Sequence, residues 1–235
     1  MKAVSTSARR LIIAELAFLS MLILTIMFIP YRKAYMIPCG IGVVLICIGV
    51  RFVARRFFGA VNLLPELGEM GFSFKNFWPS IWLVVITLVV SASLITIGWW
   101  FETLQVQEFQ RAPLTLTRVV SWFRYPIWSL VQEMMLQVYV LRRLLLILPD
   151  QRLKAITIAV GCFSIFHMPN PALVLATIFS GAACCLYYEK YRCIWTPWVS
   201  HAILGITFKY AFSSSFTGGM LVGINYVRYL KKLLA

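Results

Sequence analysis

Acidic side chains are scarce in this chain: Asp and Glu together number 8 among 235 residues, and histidine occurs twice, as His167 and His201. Charged residues of both signs make up 13% against 61% hydrophobic ones, and the mean hydropathy is +0.83. So little charge argues against a water-soluble globule and for a membrane protein. The six cysteines, Cys39, Cys47, Cys162, Cys184, Cys185 and Cys193, show neither CxxC nor paired Cys/His spacing, so they read as small core residues. There is no internal repeat and no low-complexity tract. A small-residue cleavage site after the apolar run ending at Ile29 is also lacking, so that run is expected to be a retained first helix.

What the chain does have is apolar blocks close to the roughly 20 residues that a bilayer-spanning helix needs. They run about 11–29, 34–53, 81–100, 125–148, 155–167, 171–188, 194–212 and 216–229. The expectation is an all-α integral membrane protein, a single polytopic domain over 1–235 with about eight transmembrane helices. The net charge of +14 comes from 22 Lys and Arg that cluster at block ends. That placement suits topology and lipid-headgroup contact, and nucleic acid is not expected as a partner. With the N-terminus in the cytoplasm, sixteen basic residues, from Lys2, Arg9 and Arg10 to Lys231 and Lys232, fall on one side. Five, namely Arg32, Lys33, Arg111, Arg118 and Arg124, fall opposite. The asymmetry predicts a multi-pass protein of the cell membrane with both termini cytoplasmic. The stretch 54–80 mixes aromatic and charged residues and reads as an interfacial connector; 101–124 is an outer connector without a motif.

Three titratable residues lie inside apolar blocks: Glu133, His167 and His201. An ionisable group in a membrane segment costs several kcal/mol unless it faces a cavity or a partner, which makes each a functional-site hypothesis. Helical spacing puts Glu133 and Gln137 one turn apart on one face, with Gln132 about 100° around. The bland alternative is that this polar stripe is packing glue between helices. Phe163 and His167 are spaced i, i+4, and the following Met168, Pro169, Asn170 and Pro171 must break the helix. Trp198, His201 and Gly205 share another face, where Gly205 allows close backbone approach. Glu15 and Lys209 are mismatched in depth and are each expected to snorkel or find a local partner.

One carboxylate and two imidazoles admit two chemistries. In one, Glu133 is the general base for a water held by His167, and His201 donates to the oxyanion formed at a peptide carbonyl. In the other, the three residues bind zinc. No HExxH or local ligand pair favours the metal, so the metal-free site without cofactor is preferred.

The order of these motifs also resembles the CPBP family of intramembrane glutamic proteases, which includes the CAAX prenyl endopeptidase and bacteriocin-processing or immunity proteins. Phe163, Ser164, Ile165, Phe166 and His167 match its FxxxH motif. Its EExxxRG motif aligns with Gln132 to Val138, where Gln132 stands for the first glutamate, Gln137 for the arginine and Val138 for the glycine. Its HxxxN motif begins at His201 and has Gly205 in place of asparagine. The similarity covers about 125–205. The resemblance implies a hydrolase with catalytic Glu133, His167 and His201, supported by Gln132, Gln137, Phe163 and Gly205, acting on a membrane-associated or exported peptide or protein at the lipid bilayer. In the family the first glutamate and the FxxxH histidine activate water, so Glu133 must have taken over that role in an active member. Two rivals remain: a pseudoprotease that binds and regulates or protects a membrane partner, and a carrier using the three residues as a proton relay.

Overall fold

The computed structural model describes residues 6–28, 42, 45, 49, 68–101 and 116–234. The expected second helix at 34–53, Cys39 and Cys47, Arg32 and Lys33, the first half of the interfacial connector and most of the outer connector lie outside the described residues. The described elements are helical throughout.

The main α-helices among the described residues are α1 (Thr6–Phe28), α2 (Trp82–Trp100), α3 (Leu116–Glu133), the short α4 (Arg142–Ile147), α5 (Arg152–Ile165), α6 (Pro171–Tyr191), α7 (Trp195–Ala211) and α8 (Gly223–Leu234). Three among the described residues are long and apolar enough to cross a membrane: Arg9–Phe28, Trp82–Trp100 and Pro171–Tyr191. The protein is therefore all-α and membrane-like, but a count of eight spans is not supported. α5 has 14 residues, about 21 Å at 1.5 Å per residue, short of the hydrocarbon thickness. The expected last span, 216–229, is broken at Gly218–Met220, where Gly218 (φ 59°) and Gly219 (φ 61°) take left-handed conformations that end any helix. Beyond the break, α8 is strongly amphipathic, with Arg228, Lys231 and Lys232 on a 12-residue helix.

α3 does not end at Glu133 but widens into a π-helical stretch, Met134–Leu141, before resuming as α4. The amide of Arg142 there donates to the carbonyl of Gln137, five residues back. Such widened turns are rare and concentrate at functional sites, where they re-aim side chains.

The apolar core gathers Leu136, Leu141, Leu144 and Leu145 from this composite helix with Ile156, Val160 and Phe163 of α5 and Ile12 of α1. Cys184, Cys185 and Cys193 are buried free thiols, in line with their reading as small core residues. Glu15 has its partners close by: it accepts from the Tyr139 hydroxyl and pairs with the buried Arg143 at 3.7 Å. Lys209, by contrast, lies over the Tyr210 ring at 4.8 Å.

At one end of the bundle, 70–76 docks on the α6–α7 turn. Ile194 N–H donates to Gly71 O at 2.9 Å, Trp195 Nε1 to Phe72 O at 3.1 Å and Asn76 Nδ2 to Tyr191 O at 2.6 Å. Phe74 stacks on Trp195 with centroids 4.9 Å apart. This half of the connector thus has fixed partners, while Phe74 and Trp78 remain largely exposed.

Candidate functional site

Glu133 closes the α-helical part of its element, and the widened turn that follows carries Gln137. Gln137 Nε2 donates to Glu133 Oε2 at 3.0 Å, so the one-turn spacing read from the sequence produces a direct bond. Both residues are buried, Glu133 at 1% and Gln137 at 0% exposure. The other carboxylate oxygen, Oε1, lies 2.8 Å from Nδ1 of His201 on α7. Every oxygen of this carboxylate therefore has a partner, as burial in a low-dielectric interior demands.

α7 is held against α3 one turn before the histidine: Trp198 Nε1 donates to Pro126 O at 2.8 Å. On its other side it packs against α2, where Gly98 lets the chains approach so closely that a Cβ there would sit 2.1 Å from Ala211 O. These two contacts fix the height and roll of His201.

His167 sits in the turn that ends α5. Its Nδ1 is 2.8 Å from Phe163 O, four residues back. A carbonyl only accepts, so Nδ1 carries the proton and Nε2 of the neutral ring holds the lone pair. Gln132 Nε2 reaches that nitrogen at 3.5 Å, a long contact. The turn, which contains a cis Met168–Pro169 bond, is anchored by Asn170. Its Oδ1 caps α6 through Leu173 N at 3.2 Å, and its Nδ2 donates to Thr217 O at 2.8 Å and Leu221 O at 3.0 Å.

Phe163 joins the two imidazoles. Its ring meets His167 edge-on at 4.8 Å and His201 at 5.9 Å between centroids. The fourth, fifth and seventh apolar blocks of the sequence thus meet here, through α3, α5 and α7.

A mostly apolar cavity of about 1080 Å³ opens beside this group. Gln132, Phe163, His167, His201 and Gly205 line it, whereas Glu133 and Gln137 lie behind the wall. Two imidazoles thus present themselves to the cavity with a carboxylate buried at the back of one of them. Among the described residues no group of three His, Cys, Asp or Glu side chains is arranged to hold a metal ion.

The space over Gly205 is taken by a residue the sequence did not single out. A Cβ at 205 would lie 1.6 Å from the Tyr125 hydroxyl and 2.3 Å from its Cζ. Tyr125 lines the cavity, and its ring stands 6.4 Å from that of His201. A glycine one turn from a histidine signals a hole in a helix face; which side chain fills it is not legible from spacing.

No curated protein and no solved structure matches the chain. Residues 113–207 match the family model described as type II CAAX prenyl endopeptidase Rce1-like. That stretch supplies Gln132, Glu133, Gln137, Phe163, His167, His201 and Gly205 alike, and its match to the Rce1-like domain supports membership of the CPBP family, the CAAX-type intramembrane proteases.

Proposed function

We infer that the protein is an intramembrane endopeptidase that hydrolyses a peptide bond of a membrane-associated or exported peptide or protein, using water and its own side chains. The observation that carries this reading is the Glu133–His201 pair, 2.8 Å long, set behind a cavity that both imidazoles face. In this arrangement Glu133 orients His201 and stabilises the imidazolium, much as a buried carboxylate does in a catalytic triad. With Nδ1–H directed at Glu133, Nε2 of His201 presents its lone pair and takes a proton from water. The water oxygen adds to the scissile carbonyl carbon as the carbonyl electron pair moves onto oxygen. The imidazolium then gives its proton to the leaving nitrogen as the C–N bond breaks, returning His201 to its starting state. His167, with Nδ1–H spent on Phe163 O, offers its Nε2 lone pair, to which Gln132 makes only a long contact of 3.5 Å, to the second hydrogen of the same water and so orients it. Glu133 remains essential, but as the group behind the base.

Burial of the carboxylate explains how the missing first glutamate is tolerated in this reading. Gln132 stands at the cavity wall as an amide beside His167, and the negative charge resides one position on, shielded and paired. The large apolar volume suits an extended peptide with a lipid or apolar tail, and an unwound backbone is needed there because helical carbonyls are already hydrogen-bonded. The setting is the cell membrane with both termini cytoplasmic, for which the basic asymmetry of the sequence is the support.

The test uses full-length protein in nanodiscs with internally quenched peptides bearing a CAAX tail, prenylated and unprenylated, and a panel of exported-protein tails. Wild type should release product, and His167→Ala and His201→Ala should each abolish release while the folded protein still binds the peptide. Binding of peptide by wild type without any cleavage would replace this reading with that of a pseudoprotease.

A further inference from the structure

We propose that the phenolic hydroxyl of Tyr125 is the oxyanion donor of this site, an inference that rests on the hydrolase reading above. Addition of water to a peptide carbonyl places a full negative charge on oxygen, and a pre-aimed donor in a dry cavity is the usual way to stabilise it. The obvious donors are already engaged. Nδ1 of His201 faces Glu133, Nδ1 of His167 faces Phe163 O, and Gln137 Nε2 serves Glu133 outside the cavity. Gln132 Nε2 points to His167. Ser200 also lines the cavity and its Oγ has no partner among the described residues, but that oxygen is wholly buried and so out of reach of a substrate carbonyl.

Tyr125 differs from all of these. Its side chain lines the cavity, and among the described residues its hydroxyl has no hydrogen-bond partner. It is held in place by shape: the hydroxyl rests on the bare backbone of Gly205, where any Cβ would collide with it. Gly205 follows His201 by one turn of α7, so the hydroxyl sits on the same helix face as the imidazole, and residues so spaced have Cβ atoms about 5–6 Å apart. A scissile carbonyl lodged between them has the attacking water on the His201 side and its oxygen toward Tyr125. As water adds, the carbonyl π pair becomes the oxyanion lone pair, the water proton passes to His201 Nε2, and Tyr125 keeps its own proton while donating a hydrogen bond. Collapse of the intermediate restores the carbonyl and releases that bond. Gly205 is thus the seat of the donor.

The experiment compares wild type, Tyr125→Phe, Tyr125→Ala and Tyr125→Ala/Gly205→Asn as full-length protein in nanodiscs, on the quenched peptide that wild type cleaves fastest. Phenylalanine keeps the ring and removes the donor, so kcat should fall about 10²-fold, with KM within threefold and the melting temperature unchanged. The double variant returns an amide donor to the vacated space and should recover at least tenfold over Tyr125→Ala. A Tyr125→Phe protein with kcat within threefold of wild type overturns the inference and leaves the hydrolase reading intact. A wild type that cleaves none of the peptides overturns both.

Discussion

Glu133 and His201 are in direct contact, Oε1 to Nδ1 at 2.8 Å, yet only the histidine reaches the cavity wall. The carboxylate is sequestered behind the ring that it orients, with Gln137 holding its second oxygen. Replacing Glu133 by Gln keeps the volume and leaves an acceptor for Nδ1–H, but removes the charge that stabilises an imidazolium. Turnover should drop by about 10⁴-fold, the cost of neutralising the carboxylate of a triad, with the fold retained. Single-turnover peptide cleavage alongside a thermal melt checks this, and near-normal turnover would refute the role given to the pair.

Away from the site, the Glu15 carboxylate accepts from Tyr139 and pairs with Arg143, joining α1 to the widened turn. Arg143 is 3% exposed, and its guanidinium also lies over the Tyr139 ring at 5.5 Å. Truncating Glu15 to Ala strands a buried cation, which costs about 3–5 kcal/mol. The prediction is a marked fall in detergent stability, while turnover per folded molecule stays within a few-fold; a melting temperature equal to wild type would contradict it.

Gly98 sets the distance between α2 and α7. Alanine there puts a methyl 2.1 Å from Ala211 O, so one backbone must move. Overpacking of this kind costs about 1–3 kcal/mol, and because α7 carries His201 the displacement should lower kcat as well. Parallel melts and rate measurements on Gly98→Ala decide the matter, and unchanged values for both would show that the helices separate freely.

The Asn170 side chain makes three hydrogen bonds, one capping α6 and two tying down the turns before α8. Loss of a cap costs about 1 kcal/mol and each further buried bond about 1 kcal/mol, so Asn170→Ala should destabilise by about 3 kcal/mol. The damage should be local: limited proteolysis is expected to cut the chain after 212 first. Uniform protection of that region would argue against the anchoring role.

The candidate site was legible because lipid makes polarity conspicuous. Glu133, His167 and His201 stood out by residue type alone, and Glu133 to Gln137 and Phe163 to His167 by their spacing of four, which the structure turns into a hydrogen bond and a ring contact. The count of spans failed for the opposite reason. Apolar blocks predict crossings, but α5 is short and the last block breaks at Gly218 and Gly219, because hydropathy records composition and not helix length or φ.

The sequence by itself determined that this is an all-helical, membrane-like protein with an acid and two imidazoles in its apolar core, since period, polarity and charge placement are local properties of the chain. Tertiary structure alone decided which groups meet: that the carboxylate pairs with His201 and stays out of the cavity, and that Tyr125 fills the space over Gly205. Those facts depend on the roll and approach of separate helices and on the widened turn at 134–141. Packing sets them, and no periodicity within one helix encodes where its neighbour will stand.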